Sequence, residues 1–267
     1  LLWQHLFWMF GHPWVYAIVL PAMSMVSEGL PVFCRRPLVG YSVVALSTVA
    51  TMILGFGVWV HHMFATGLPG LGLSFFSGAS IAIVFPSAVA IFAWLATIWL
   101  GRPVITTAFL YFASMILMFV IGGVSGFMTA SVPVDWQLTD TYFVVAHIHY
   151  VLIGINVFPV LGAVYYWFPK MTGRLMDERL GRWNFWITFI GFNLAFLPMH
   201  LTGLFGMPRR VYTYGPDMGW NTLNMITTIG SFVLALGVLL FIVNVVKSLR
   251  TGAAAGANPW DAATLEW

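Results

Sequence analysis

Histidine and tyrosine spacing carries the chemistry in this chain. There are seven histidines: His5, His12, His61, His62, His147, His149 and His200. His12 and Tyr16 are four residues apart, so on a helix they share one face and a phenol stands beside an imidazole. His147 and His149 are two apart, about 200° around a helix. They face opposite sides and cannot ligate one ion, which points to two groups flanking one helix. His61 and His62 are consecutive and can both reach one metal only where a helix ends or distorts. Gly55 and Gly57 before them and Gly67 to Gly70 after them permit such an end. Imidazole is the commonest metal-binding side chain. With a single cysteine, Cys34, and no pair of carboxylates within the apolar runs, an all-nitrogen site suits copper, zinc or iron better than magnesium or calcium.

The elements that position these residues are membrane spans. Of the 267 residues, 60% are hydrophobic and 7% charged, against about 25% charged in soluble domains. One soluble core could not hide that much apolar surface, whereas lipid solvates it. A span needs roughly 20 apolar residues. Such runs lie near 3–27, 40–62, 75–100, 104–124, 141–168, 183–205 and 220–246. Backbone groups in lipid must be satisfied internally, so these are helices. The expected fold is therefore an all-α, polytopic transmembrane bundle of about seven spans over 1–246, followed by a cytoplasmic, irregular C-terminal tail over 247–267. The absence of an initiator Met and of a signal peptide marks the chain as a fragment of a longer polypeptide.

Charge orients the bundle. Of 11 Lys and Arg, nine fall on one face if the chain crosses seven times: Arg35, Arg36, Arg102, Lys170, Arg174, Arg179, Arg182, Lys247 and Arg250. That face is cytoplasmic. The same balance argues for membrane topology and against nucleic-acid binding. Arg209 and Arg210 lie on the outer face as an adjacent pair, an exception that calls for a local anionic partner or solvated loop charges. In this orientation every histidine falls in the outer half, with His12 roughly 14 Å down its span. Ionisable groups in a bilayer are costly and usually functional. His5 and His200 read as hydrogen-bonded packing residues; the other five sit on three helices at one depth.

The segments LFWMFGHPWVY (6–16), WVHHMF (59–64), DTYFVVAHIHY (140–150), MPRR (207–210) and NPWDAATLEW (258–267) together resemble subunit I of the haem–copper oxygen reductases, of the cytochrome c oxidase type. The resemblance covers the whole chain and corresponds to the second half of a twelve-helix subunit. It implies that His12, His61 and His62 bind copper, that His147 is the axial ligand of the high-spin haem, and that His149 is one axial ligand of the low-spin haem. The second ligand of that haem belongs to an earlier helix. Tyr16 is implied to be the proton- and electron-donating tyrosine joined covalently to His12. Arg209 and Arg210 are implied to pair with haem propionates, and Trp8 and Trp59 to pack round the copper. Asp140 matches a magnesium ligand, but Thr139 stands where its neighbouring His is usual. Heme A is the expected haem type. The implied activity is reduction of dioxygen to water in aerobic respiration. The implied partners are a copper-bearing subunit II, a subunit III, cytochrome c or a similar electron donor, the N-terminal half and membrane lipid. The bacterial plasma membrane is the expected location.

Two positions depart from the family pattern. The usual GHPEVY reads GHPWVY here, with Trp14 in place of the proton-channel Glu, and the Tyr-Ser substitute found in some relatives is Phe10-Gly11. The usual channel Lys is Ala90. Neither replacement can transfer a proton, so both familiar inward routes are closed by chemistry. Glu28, with Ser27 and Ser87, offers an alternative uptake point. Altered proton channels also accompany nitric oxide reduction in the superfamily, though usually with changed copper ligands or loss of the tyrosine. A non-catalytic paralogue is the remaining family reading. A transporter would instead place polar sites at the midplane.

Overall fold

A computed structural model describes residues 1–267. The chain is a helical bundle: α1 (Leu2–Cys34), α2 (Tyr41–Phe56), α3 (Gly70–Ala82), α4 (Val84–Leu100), α5 (Thr107–Ala130), α6 (Val132–Leu138), α7 (Tyr142–His149), α8 (Phe158–Thr172), α9 (Glu178–Leu204) and α10 (Asn221–Thr251). A 3-10 turn over Trp59–Met63 follows α2, and a π-helical stretch over Tyr150–Val157 joins α7 to α8. Six continuous helical segments are long and apolar enough to cross a membrane, counting α3 with α4 and α7 with α8; α2 is a shorter apolar helix. These seven coincide with the seven runs expected from sequence.

Local chemistry explains the ends. Thr106 caps α5 by accepting from the Phe109 N–H, Thr141 caps α7 through Phe143, and Asp177 caps α9 through Leu180 at 2.9 Å. The third expected span is broken at Ile83. Pro86 lies in the first turn of α4, and its ring excludes the carbonyl of the residue four positions earlier from a continuous ladder. The fifth span widens into the π stretch where the buried Asn156 amide donates to the Val151 carbonyl at 2.8 Å. That hydrophobic run gave no sign of the change in pitch. The last helix continues to Thr251, past the expected end at 246.

Aromatic side chains fill the centre. Trp94, Tyr111, Phe112, Tyr150, Phe158 and Phe192 are fully buried. On the outside, Leu46, Trp99 and Phe232 are among many exposed apolar residues, a surface that lipid and not water would solvate. Helices α9 and α10 pack backbone to backbone, since Gly191 and Gly230 leave no room for a Cβ against Leu234 and Ala195. Two loop systems mark the opposite ends. At one, Tyr142 N–H donates to Met207 O and Arg209 N–H to Asp140 O, pinning the α9–α10 loop over α7. At the other, the tail folds back: Trp260 donates to the Tyr166 carbonyl, Arg35 donates to the Trp260 carbonyl at 2.7 Å, and Lys170 pairs with Glu266 at 3.4 Å.

Candidate metal centre

The first cluster forms where α1 meets the turn after α2. Helix α2 ends at Phe56, and the tighter 3-10 turn brings His61 and His62 onto the side facing α1. His12 is buried at 6% exposure; His61 and His62 are half-buried. His12 Nδ1 lies 3.2 Å from His62 Nε2. The ring centroids of His12 and His61 are 4.4 Å apart, and those of His12 and His62 5.2 Å. One ligand atom from each residue falls within a mutual 4.8 Å. Two imidazole nitrogens bound tetrahedrally at about 2.0–2.1 Å are separated by about 3.3 Å, close to the spacing of the His12–His62 pair. These are the one grouping of three His, Cys, Asp or Glu side chains with such a span. An all-imidazole donor set fits copper and does not fit a hard oxygen-loving ion.

Hydrogen bonds fix which nitrogen is free. The Ser80 hydroxyl donates to the Phe76 carbonyl at 2.5 Å. Its oxygen is then an acceptor for the His61 Nδ1–H at 2.9 Å, which leaves the lone pair of His61 Nε2 for a metal. His12 Nε2 is buried with no partner. Beside it the Tyr16 ring meets His12 edge to face at 4.7 Å. Gly55 makes room for that phenol, because a Cβ there would lie 2.6 Å from the Tyr16 ring. Trp8 stacks on His62 at 3.9 Å and 9°. Trp59 opens the same 3-10 turn as His61 and His62, its ring beside Phe76 at 6.4 Å and its indole N–H buried without a partner.

His147 and His149 project to opposite sides of α7, as their spacing requires. His147 Nδ1 lies 3.0 Å from the Gly122 carbonyl and 3.1 Å from Ser125 Oγ on α5. A carbonyl only accepts, so Nδ1 carries the proton and Nε2 is free. His149 stacks on Phe196 of α9 at 4.2 Å and donates from Nδ1 to the Val145 carbonyl at 2.7 Å, again freeing Nε2. Both rings are thus in the tautomer that axial ligation of haem iron needs. His200 packs against Phe143 and Tyr150, at 5.1 and 5.4 Å, and bonds to its own helix at Leu197. His5 sits in the first turn of α1.

Above the imidazoles a cleft of about 430 Å³ is lined by Trp3, Trp8, His62, Asp140, Arg209 and Arg210, among others. Arg209 pairs with Asp140 through Nη2 at 2.5 Å and Nε at 2.7 Å. That pair answers half of the outer-face charge exception with a protein carboxylate. Magnesium does not fit the residues present: Asp140 is engaged by Arg209, and Thr139 bonds to the nearby Asp135 carboxylate at 2.8 Å. Burial pushes the Asp135 carboxyl up to about 6, with the Asp140 charge adding to the rise and the Thr139 hydroxyl opposing it.

Ala90 is fully buried beside Trp94, whose indole donates to Ser27 Oγ at 3.0 Å, and Trp14 is 47% exposed on α1. Sequence reasoning missed Ser80, Gly122, Ser125 and Gly126. The only signal was hydroxyls and glycines inside apolar helices, which many packing positions share.

Residues 1–233 match the family model described as Cytochrome C and Quinol oxidase polypeptide I. Cytochrome c oxidase subunit 1 of Bacillus subtilis (strain 168) is 51% identical over 267 residues, all of this chain and 43% of that protein. Cytochrome c oxidase subunit 1 of Thermostichus vulcanus is 47% identical over 266 residues, covering 48% of its length. The chain therefore spans under half the length of these relatives. A heme-copper terminal oxidase dimer solved by cryo-EM superposes with a TM-score of 0.86 over 96% of this chain and 51% of that one, at 22% identity, which is a likeness of fold.

Proposed function

Because the chain belongs to the Cytochrome C and Quinol oxidase polypeptide I family, and is an integral membrane protein, we propose that it forms the C-terminal part of a terminal respiratory oxidase subunit that reduces dioxygen to water. The observation that carries this reading is the meeting of His12, His61 and His62 within 4.8 Å, beside Tyr16. Copper would be held by these three, the high-spin haem iron by His147 and the low-spin haem iron by His149. When bound, these cofactors supply the electron transfer and dioxygen chemistry, with electrons from cytochrome c or a similar donor.

The chain's own residues bind, orient and protect. Ser80 holds His61 with its Nε2 free, and Trp8 covers one face of His62 against water. Tyr16 keeps a phenolic proton next to His12, whose unpartnered Nε2 is the atom available for the covalent link that the family implies. Arg210 and the Asp140-paired Arg209 line the cleft where haem carboxylates would lie. Cationic loops on the other face support placing it, with the 247–267 tail, in the cytoplasm, and the bacterial relatives favour the bacterial plasma membrane. Haem A, subunits II and III and the N-terminal half complete the proposed assembly. Trp14 and Ala90 support rewired proton supply, with pumping lost.

Metal analysis of the purified complex, followed by gas-consumption assays with oxygen and with nitric oxide, tests the reading. Copper, haem and oxygen consumption are expected. Nitric oxide turnover without oxygen turnover replaces the proposed reaction with that of the related reductases, and a complex without copper makes this a non-catalytic paralogue.

A further inference from the structure

His147 is held by more than the carbonyl beneath it. Its Nδ1 faces two atoms of α5, the Gly122 carbonyl at 3.0 Å and Ser125 Oγ at 3.1 Å. Serine in an apolar helix commonly bonds only to its own preceding turn. Ser125 does this too, with Ile121 O and Gly122 O each at 3.0 Å. That bond uses its single proton. Because the Gly122 carbonyl can only accept, the proton on Nδ1 belongs to His147, and Ser125 Oγ receives it through a lone pair. The ring is thereby clamped by two acceptors one turn apart. Gly126 closes the other side: a Cβ there would lie 2.8 Å from His147 Cε1. Ser125 itself is 3% exposed, so water does not replace it.

We infer that Ser125 is a positioning residue that sets the orientation and basicity of His147 toward haem iron, with Gly126 providing the space the ring occupies. The inference rests on the proposed role of His147 as an axial ligand. Hydrogen bonding at the far nitrogen of a ligating imidazole raises its electron donation to the metal and fixes its rotation. Two acceptors give more donation and a narrower range of ring angles than one.

The test uses the haem-loaded holoenzyme and the iron–histidine stretching band of the reduced high-spin haem, with its midpoint potential as a second readout. Ser125→Ala removes one acceptor and, since Ala favours helix, leaves the bundle folded. The band is expected to move to lower wavenumber and broaden, and the potential to rise. Ser125→Thr, which keeps the hydroxyl, restores both. Gly126→Ala displaces the ring and is expected to reduce high-spin haem content. An unchanged band and potential in Ser125→Ala at full haem content overturns the inference. His147→Ala separates the two claims: retention of the high-spin signal there defeats the ligand assignment itself.

Discussion

Gly55→Ala tests whether Tyr16 and the proposed copper ligands form one packed unit. Gly55 lies on α2 and Tyr16 on α1, and the added Cβ would sit 2.6 Å from two ring carbons, about 0.8 Å inside the 3.4 Å where ordinary contact begins. The phenol also meets the His12 imidazole edge to face at 4.7 Å. A shift of the phenol is therefore expected to disturb that ring or the α1–α2 contact. Overpacking of this kind costs about 1–3 kcal/mol. If the displacement is passed to His12, the same energy weakens copper binding roughly 5- to 150-fold, at about 1.4 kcal/mol per decade. Copper content relative to haem, titrated against a competing chelator, reads this directly. Gly162→Ala is the matched control, because its Cβ would crowd Tyr111 at 2.9 Å, away from the imidazoles. It should lower the unfolding temperature and leave copper affinity alone. Wild-type copper affinity in Gly55→Ala, with stability lowered as in the control, would show that the phenol and the imidazoles are not coupled.

Replacing His12, His61 or His62 singly by Ala is expected to remove copper while leaving haem bound, read as the metal-to-haem ratio; copper retained at full occupancy in all three variants contradicts the assignment. In liposomes, proton ejection per electron should fall well short of a pumping oxidase because Trp14 and Ala90 carry no transferable proton, and full stoichiometry refutes that. Asp135 adds a pH dependence. Its folded pKa, about 6, lies above the ordinary value of about 3.9, so the folded state binds the extra proton and stability falls as pH rises from about 4 to 6. Asp135→Asn, which preserves an acceptor for Thr139, should flatten unfolding temperature across that window; an unchanged slope removes Asp135 as its source.

Much of this protein is fixed by local sequence. Seven apolar runs of span length determined the helical spans, because lipid leaves backbone groups no partner outside their own helix, and nine cations at one set of ends with histidines at the other gave the expected direction. The two-residue step between His147 and His149 already separated their faces, since helical pitch decides it. Tertiary structure decided the rest. Whether His61 and His62 could both turn toward His12 depended on α2 stopping at Phe56 and a tighter turn following, which adjacent glycines permitted without requiring. The π stretch coincides with one buried amide, Asn156, which donates to the Val151 carbonyl inside a run whose hydrophobicity was unaltered. Ser80 and Ser125 gained their roles from helices 19 and 22 residues away in sequence. The Ser80 and Ser125 hydroxyls each satisfy a carbonyl of their own helix, and only the approach of another element determines what the remaining lone pair receives.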